Sequence, residues 1–130
     1  MGRLVVVSNR VSLPTDKGAK AGGLAVALEE AMIPGSLWFG WSGRRSASDA
    51  GRTAIAEHRG ITYATLDLSE AEYRRFYVGF SNGALWPLLH YRSGLFDFRR
   101  DEFEGYLAVN ERFAARLAPL LDPDDVIWIH

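Results

Sequence analysis

Cysteine is absent from the 130 residues, which excludes a disulfide framework and any thiol chemistry and suits a cytosolic setting. Histidine is scarce. The three present stand far apart at His58, His90 and His130, with no H-E-x-x-H spacing for a metal. No long hydrophobic run occurs. The N-terminus passes directly into a short apolar strand, so no signal peptide and no membrane span is expected. An excess of either charge is also missing: 15 basic and 16 acidic residues leave a formal charge of −1. That balance argues against the basic surface on which nucleic-acid binding depends. Walker loops, Ser-His-Asp signatures, internal repeats and low-complexity segments are lacking too. What is present is a chain 48% apolar and 12% aromatic, enough for one domain with its own core. These features together lead us to expect a cytoplasmic protein.

The organising stretch is Leu4 to Leu28, LVVVSNRVSLPTDKGAKAGGLAVAL. The run Leu4-Val5-Val6-Val7 is rich in β-branched residues and reads as a strand buried on both faces. A polar loop from Val11 to Ala21 follows, with Pro14, Asp16, Lys17 and Gly18. Gly22-Gly23 then open a helix on which Leu24, Leu28 and Ala31 recur at helical spacing, ending before Pro34-Gly35. Strand, loop, glycine pair and helix start form the phosphate-facing corner of an α/β sheet, because the first N–H groups of a helix lack partners and attract anions.

Farther on, SLWFGWSG (Ser36 to Gly43) carries Trp38 and Trp41 three apart, on opposite faces of a strand: one for the core, the other free to line a pocket. Arg44 to Gly60 reads as a polar surface connection with a short helical turn near Thr53 to His58. Ile61 to Leu68 alternates as a strand. Ser69 and Glu72 fit a capping box, starting a helix with Tyr73, Phe76 and Tyr77 on one side. Asn82-Gly83 signals a break, and Pro87 must sit in the first turn of the next short helix (Ala84 to His90) or kink it. In the helix from Asp101 to Leu121, Phe103, Tyr106, Leu107, Asn110, Phe113, Ala114 and Leu117 trace a core face. Val126 to Ile129 reads as another buried strand. In parallel α/β sheets ligands sit at the carboxyl ends of strands. A chain stopping at His130, at such an end, is therefore expected to be a fragment of a longer protein.

Taken singly, the candidate residues leave alternatives open. Arg10 follows the first strand and can grip a phosphate through two parallel hydrogen bonds, yet it reads equally as a surface arginine. Gly22-Gly23 permits close approach of a ligand to the backbone, but the G-x-G-x-x-G spacing of a dinucleotide site is absent. Tyr77 and Trp86 offer the flat faces and polar handles that sugar sites use, although each fits a core as well. His90 and His130 make only a weak acid–base case. From residues alone, the chain is an α/β domain for a phosphorylated or nucleotide-sugar-like ligand.

The runs LVVVSNR, AGGLAVAL, LWFGWSG, FYVGFSNGALWPLLHY, YLAVNERFA and DDVIWIH together, in this order and spacing, resemble the trehalose-6-phosphate synthase family, glycosyltransferase family 20. The resemblance covers nearly the whole chain. It implies a GT-B fold of two Rossmann-like domains, of which residues 1–130 would be the first part of the N-terminal, acceptor-binding domain: a parallel sheet flanked by helices. The C-terminal nucleotide-sugar domain would be absent. It further implies glucosyl transfer from UDP-glucose to glucose 6-phosphate with retention, by a front-face displacement without a protein nucleophile or metal. By the same resemblance, basic groups of the second domain would stabilise the departing charge. On that basis Arg10 and Tyr77 would hold the acceptor phosphate, and Trp41 and Trp86 would line the acceptor pocket. Gly22 and Gly23 would lie beside the donor. No catalytic residue and no cofactor falls within the chain, since the family's Asp-Tyr-His-Leu run, a later histidine and the Arg and Lys of the second domain lie beyond His130. The fragment alone is expected to be inactive, and an exposed apolar edge would favour pairing with a second copy. The alternatives are a sister enzyme using glycerol 3-phosphate or a cyclitol as acceptor, and a non-catalytic regulatory or binding module. Arg10 and Tyr77 favour a hexose phosphate.

Overall fold

A computed structural model describes residues 2–16, 23–47 and 52–130. The chain divides into two compact units, Met1–Arg44 with Gly51–Asp67 and Leu120–His130, and Arg45–Ala50 with Leu68–Pro119.

The first unit is built on a sheet. Its strands are β1 (Leu4–Arg10), β2 (Leu37–Ser46), β3 (Ala54–His58), β4 (Ile61–Ser69) and β5 (Val126–Ile129), in the spatial order β3-β4-β2-β1-β5. The β-branched run of β1 pairs in parallel on both sides, Val5 opposite Leu37 of β2 and Ile127 of β5. Val5 and Val6 are fully buried. Helix α1 (Gly23–Ala31) contributes Leu28, and Met32 follows directly after it. Both join Val6, Val11, Trp38, Ile61 and Tyr63 in one core cluster. Each side chain of this size stabilises the fold by about 1.5–3 kcal/mol when fully buried. Ala31, expected on the same face, is exposed. The side chain of Leu24 lies outside the described residues.

Two strands differ from expectation. The helical turn near Thr53 to His58 is instead β3, antiparallel to β4, with Ala54 opposite Thr65. Arg59 (φ 51°) and Gly60 (φ 78°) form the two-residue turn, both left-handed, the type I′ geometry that matches strand twist. Strand β5 forms, but it is exposed rather than buried, with Val126 at 62% and Ile129 at 75%. It occupies the end of the strand order and pairs with β1 alone.

The turn into β5 is held by Arg3. Its Nε donates to Asp125 at 3.1 Å, and the Asp122 N–H donates to the same carboxylate at 2.8 Å. The hydrogen bond from Arg3, followed by that from Asp122, holds the Asp125 carboxyl below the usual carboxylate range.

The second unit is helical. Ser69 caps it: its Oγ accepts from the Glu72 N–H at 3.1 Å, and Glu72 Oε2 accepts from the Ser69 N–H at 2.8 Å. After α2 (Glu70–Glu72) the chain widens into an i→i−5 helix over Tyr73–Leu85 and runs directly into α3 (Trp86–Leu89). The break expected at Asn82-Gly83 does not occur. Pro87 supplies a reason for the unusual winding. In an α-helix its ring would strike the carbonyl of Gly83 and leave that acceptor without a donor. Here the Trp86 N–H reaches back to Ser81 O, and Gly83 O accepts from the Asp97 N–H at 2.9 Å.

Helix α4 (Arg100–Leu117) packs on this segment, with Phe80 4.7 Å from Tyr106 and 5.1 Å from Phe103, and Phe76 5.7 Å from Tyr106, between ring centroids. Its inward face is rotated from the expected one. Val109 is fully buried, whereas Leu107, Asn110 and Ala114 are exposed. Arg112 explains the rotation, since its charge is accommodated on the packed side by Glu72 at 2.7 Å. The α-helix ends at Leu117, not Leu121, and a short 3₁₀ turn (Ala118–Leu120) containing Pro119 follows.

The Asp125 carboxyl titrates lower in the folded chain than in the unfolded one, so its stabilisation is complete above about pH 4 and lost as pH falls below it. Urea unfolding should show Asp125→Asn closing much of its stability deficit against wild type between pH 6 and pH 3; a constant deficit would contradict the pairing.

Candidate functional site

Strand β1 ends on Arg10. Between Ser8 and Arg10 the pairing with β2 slips, so that Ser8 faces Gly40 while Arg10 faces Trp41. Such a bulge re-aims the side chain that follows it. Ser8 secures the slip: its hydroxyl donates to Arg10 O at 2.8 Å and accepts from Trp38 Nε1 at 2.8 Å. The Val11 N–H then donates to Trp41 O at 2.9 Å. Arg10 is exposed and has no carboxylate partner among the described residues; its guanidinium carbon lies 5.9 Å from the centre of the Trp41 ring. Gly43 makes room for it. At φ +85°, a Cβ there would stand 2.7 Å from the guanidinium carbon.

Trp38 and Trp41 are both buried, Trp38 within the core cluster and Trp41 beneath the Arg10 guanidinium. Trp41 Nε1 donates to Arg44 O at 2.8 Å, which fixes the indole beneath Arg10. Nearby, Asn9 Oδ1 is buried without a hydrogen-bond partner. The carboxyl end of β1 thus carries a guanidinium over an aromatic plane and, one residue earlier in the strand, a buried amide oxygen without a partner; parallel α/β sheets bind ligands at such ends.

In the second unit, Tyr77 is partly buried and stacks on Tyr73 with ring centroids 5.5 Å apart and an interplanar angle of 27°. Arg45 lies over Tyr73 at 4.6 Å and pairs with Glu70 at 3.2 Å. Trp86 is 54% exposed, and its indole stacks on His90 at 3.9 Å. Residue-by-residue reading missed Tyr73 and Arg45 as supports of Tyr77, and His90 as a neighbour of Trp86. The signal was available, since Tyr73–Tyr77 and Trp86–His90 are both four apart on a helical path. His130 stands against Trp128 at 4.3 Å and donates its N–H to Val7 O at 2.8 Å.

Gly23 begins α1. Gly22 lies outside the described residues, as does the loop from residue 17 onward. Among the described residues no group of three or more His, Cys, Asp or Glu could hold a metal ion, and no helix is long and apolar enough to cross a membrane.

Residues 3–130 match the sequence model of glycosyltransferase family 20. The chain is 50% identical over its whole length to the trehalose-6-phosphate synthase of Cronobacter sakazakii, covering 27% of that protein. It is 51% identical to that of Sinorhizobium fredii, covering 29%. Among solved structures it resembles an alpha,alpha-trehalose-phosphate synthase (UDP-forming) from Burkholderia xenovorans in complex with glucose-6-phosphate. That match has a TM-score of 0.90 and 46% identity, over 99% of this chain and 28% of the other. The chain therefore spans under a third of the length of the curated relatives it matches.

Replacing Gly43 by alanine should destabilise the protein by about 1–2 kcal/mol from the left-handed backbone alone. It should also push Arg10 away from Trp41. Urea unfolding and a crystal structure of the variant check both; a variant of unchanged stability with Arg10 in place would contradict the role given to Gly43.

Proposed function

The chain belongs to glycosyltransferase family 20, and from that premise we propose that it is the N-terminal, acceptor-binding part of a trehalose-6-phosphate synthase. The longer enzyme would transfer glucose from UDP-glucose to glucose 6-phosphate in the cytoplasm, with retention at the anomeric carbon, releasing UDP. The observation that supports this most is Arg10, an unpaired guanidinium held over Trp41 at the end of β1.

The roles follow from the side chains. A guanidinium presents two parallel N–H donors to phosphate oxygens, and it stays charged at every physiological pH. Arg10 would grip the acceptor phosphate so, and the Trp41 indole beneath it would offer a flat surface to the acceptor sugar. For the second unit, the family resemblance gives Tyr77 a phosphate contact and Trp86 a contact with the acceptor sugar. Gly23, which begins α1, would bring an unsatisfied backbone N–H to the donor diphosphate, and the family resemblance places Gly22, the preceding residue in the sequence, beside the donor as well. The transfer needs basic groups opposite the departing UDP. Those would come from a second, nucleotide-sugar domain outside residues 1–130, so the chain by itself would not catalyse. Its exposed β5 edge would pair with a second copy in isolation, and a monomeric elution profile at high concentration would count against that.

The test is UDP release by the longer protein with glucose 6-phosphate, glucose and glycerol 3-phosphate as acceptors. Arg10→Ala should lower kcat/KM for glucose 6-phosphate roughly 10- to 100-fold, the worth of one or two charged hydrogen bonds, and leave glucose little changed. Equal losses for both acceptors would remove Arg10 from the phosphate. Activity with glycerol 3-phosphate alone would move the function to a sister enzyme.

A further inference from the structure

We infer that His90 is a positioning residue for the Trp86 indole, an inference that rests on the reading of Trp86 as a wall of the acceptor pocket. The two rings lie nearly parallel, 3.9 Å between centroids at 17°. His90 Nδ1 is 2.7 Å from the carbonyl oxygen of Trp86, which also accepts the His90 backbone N–H at 3.1 Å. A carbonyl oxygen can only accept, so Nδ1 donates in this contact. The imidazole is thus tied to Trp86 twice, by ring on ring and by N–H on carbonyl.

Trp86 depends on that tie. Its side chain is more than half exposed, which leaves few contacts to restrict its rotamer. The backbone around His90 is fixed in turn. His90 closes α3, the Arg92 N–H returns to Pro87 O at 2.8 Å, and the Tyr91 N–H returns to Leu88 O at 3.3 Å. These are the two bonds of a Schellman cap, which places the next residue in the left-handed region. Here that residue is Tyr91 at φ 57°, where glycine would be unstrained. The cap ends the helix at His90 and sets the imidazole over the indole of the preceding turn. A wall held in place before the sugar arrives need not be ordered on binding, so its loss is read in acceptor affinity more than in turnover.

The experiment uses the longer protein labelled with 5-fluorotryptophan, with the Trp86 ¹⁹F line assigned by its disappearance in Trp86→Phe. In His90→Ala that line should move toward the position of a solvent-exposed indole. The KM for glucose 6-phosphate should rise about three- to tenfold, the scale of a lost aromatic pair, with kcat and the KM for UDP-glucose within twofold. His90→Phe, which keeps a flat ring there, should recover most of both effects. An unmoved ¹⁹F line in His90→Ala would overturn the inference. So would an unchanged acceptor KM in His90→Ala when Trp86→Ala raises it. If the line moves but Trp86→Ala itself leaves the acceptor KM unchanged, the positioning stands and the reading of Trp86 as an acceptor wall fails.

Discussion

The double-sided parallel pairing of β1 is the constraint on which the first unit depends. A strand hydrogen-bonded on both edges must satisfy its backbone within the sheet, and its side chains must be apolar to be covered on both faces. Val5 and Val6 meet that demand, and Leu37 and Ile127 flank Val5 in register. The pairing also decides where polarity can return. It does so at Ser8, Asn9 and Arg10, where the register with β2 slips and the chain leaves the sheet. The motif that carries the family resemblance is therefore also the place where the sheet ceases to be a core.

The second unit solves a different problem, that of carrying a proline and many aromatics in one continuous helical path. Widening the helix over Tyr73–Leu85 lets Pro87 follow without a clash, and the carbonyl it strands is taken by Asp97. The same path sets residues four apart side by side, which yields the Tyr73–Tyr77 and Trp86–His90 stacks. In both stacks one ring is itself anchored, Tyr73 by Arg45 and His90 by a backbone carbonyl, and it supports the other.

Legibility in the sequence followed the physics of each element. β1, α1, the capping box at Ser69 and Glu72, and the strand from Ile61 were readable because their signals are local: β-branched runs, glycine and proline stops, a serine three residues before a glutamate. β3 was not, because its hairpin turns on Arg59-Gly60, and an arginine at φ 51° gives no sign of a tight turn in sequence. Apolarity alone does not give the packed face of α4, because Arg112 packs inward through its pairing with Glu72. The exposure of β5 was invisible for another reason, since an apolar strand reads as buried whatever covers it. Arg10, Trp41, Tyr77 and Trp86 were all legible as candidates, but only the pattern of the whole family made them a set. Their supports, Gly43, Arg45, Tyr73 and His90, emerged from geometry.

The role proposed for the end of β1 is to present Arg10 to the phosphate of an acceptor sugar. A crystal structure of the longer protein with glucose 6-phosphate bound tests it most directly. Two N–H groups of Arg10 are expected on phosphate oxygens, at the roughly 2.7–2.9 Å typical of charge-assisted pairs. A phosphate bound elsewhere, with the Arg10 guanidinium left in solvent, would contradict it.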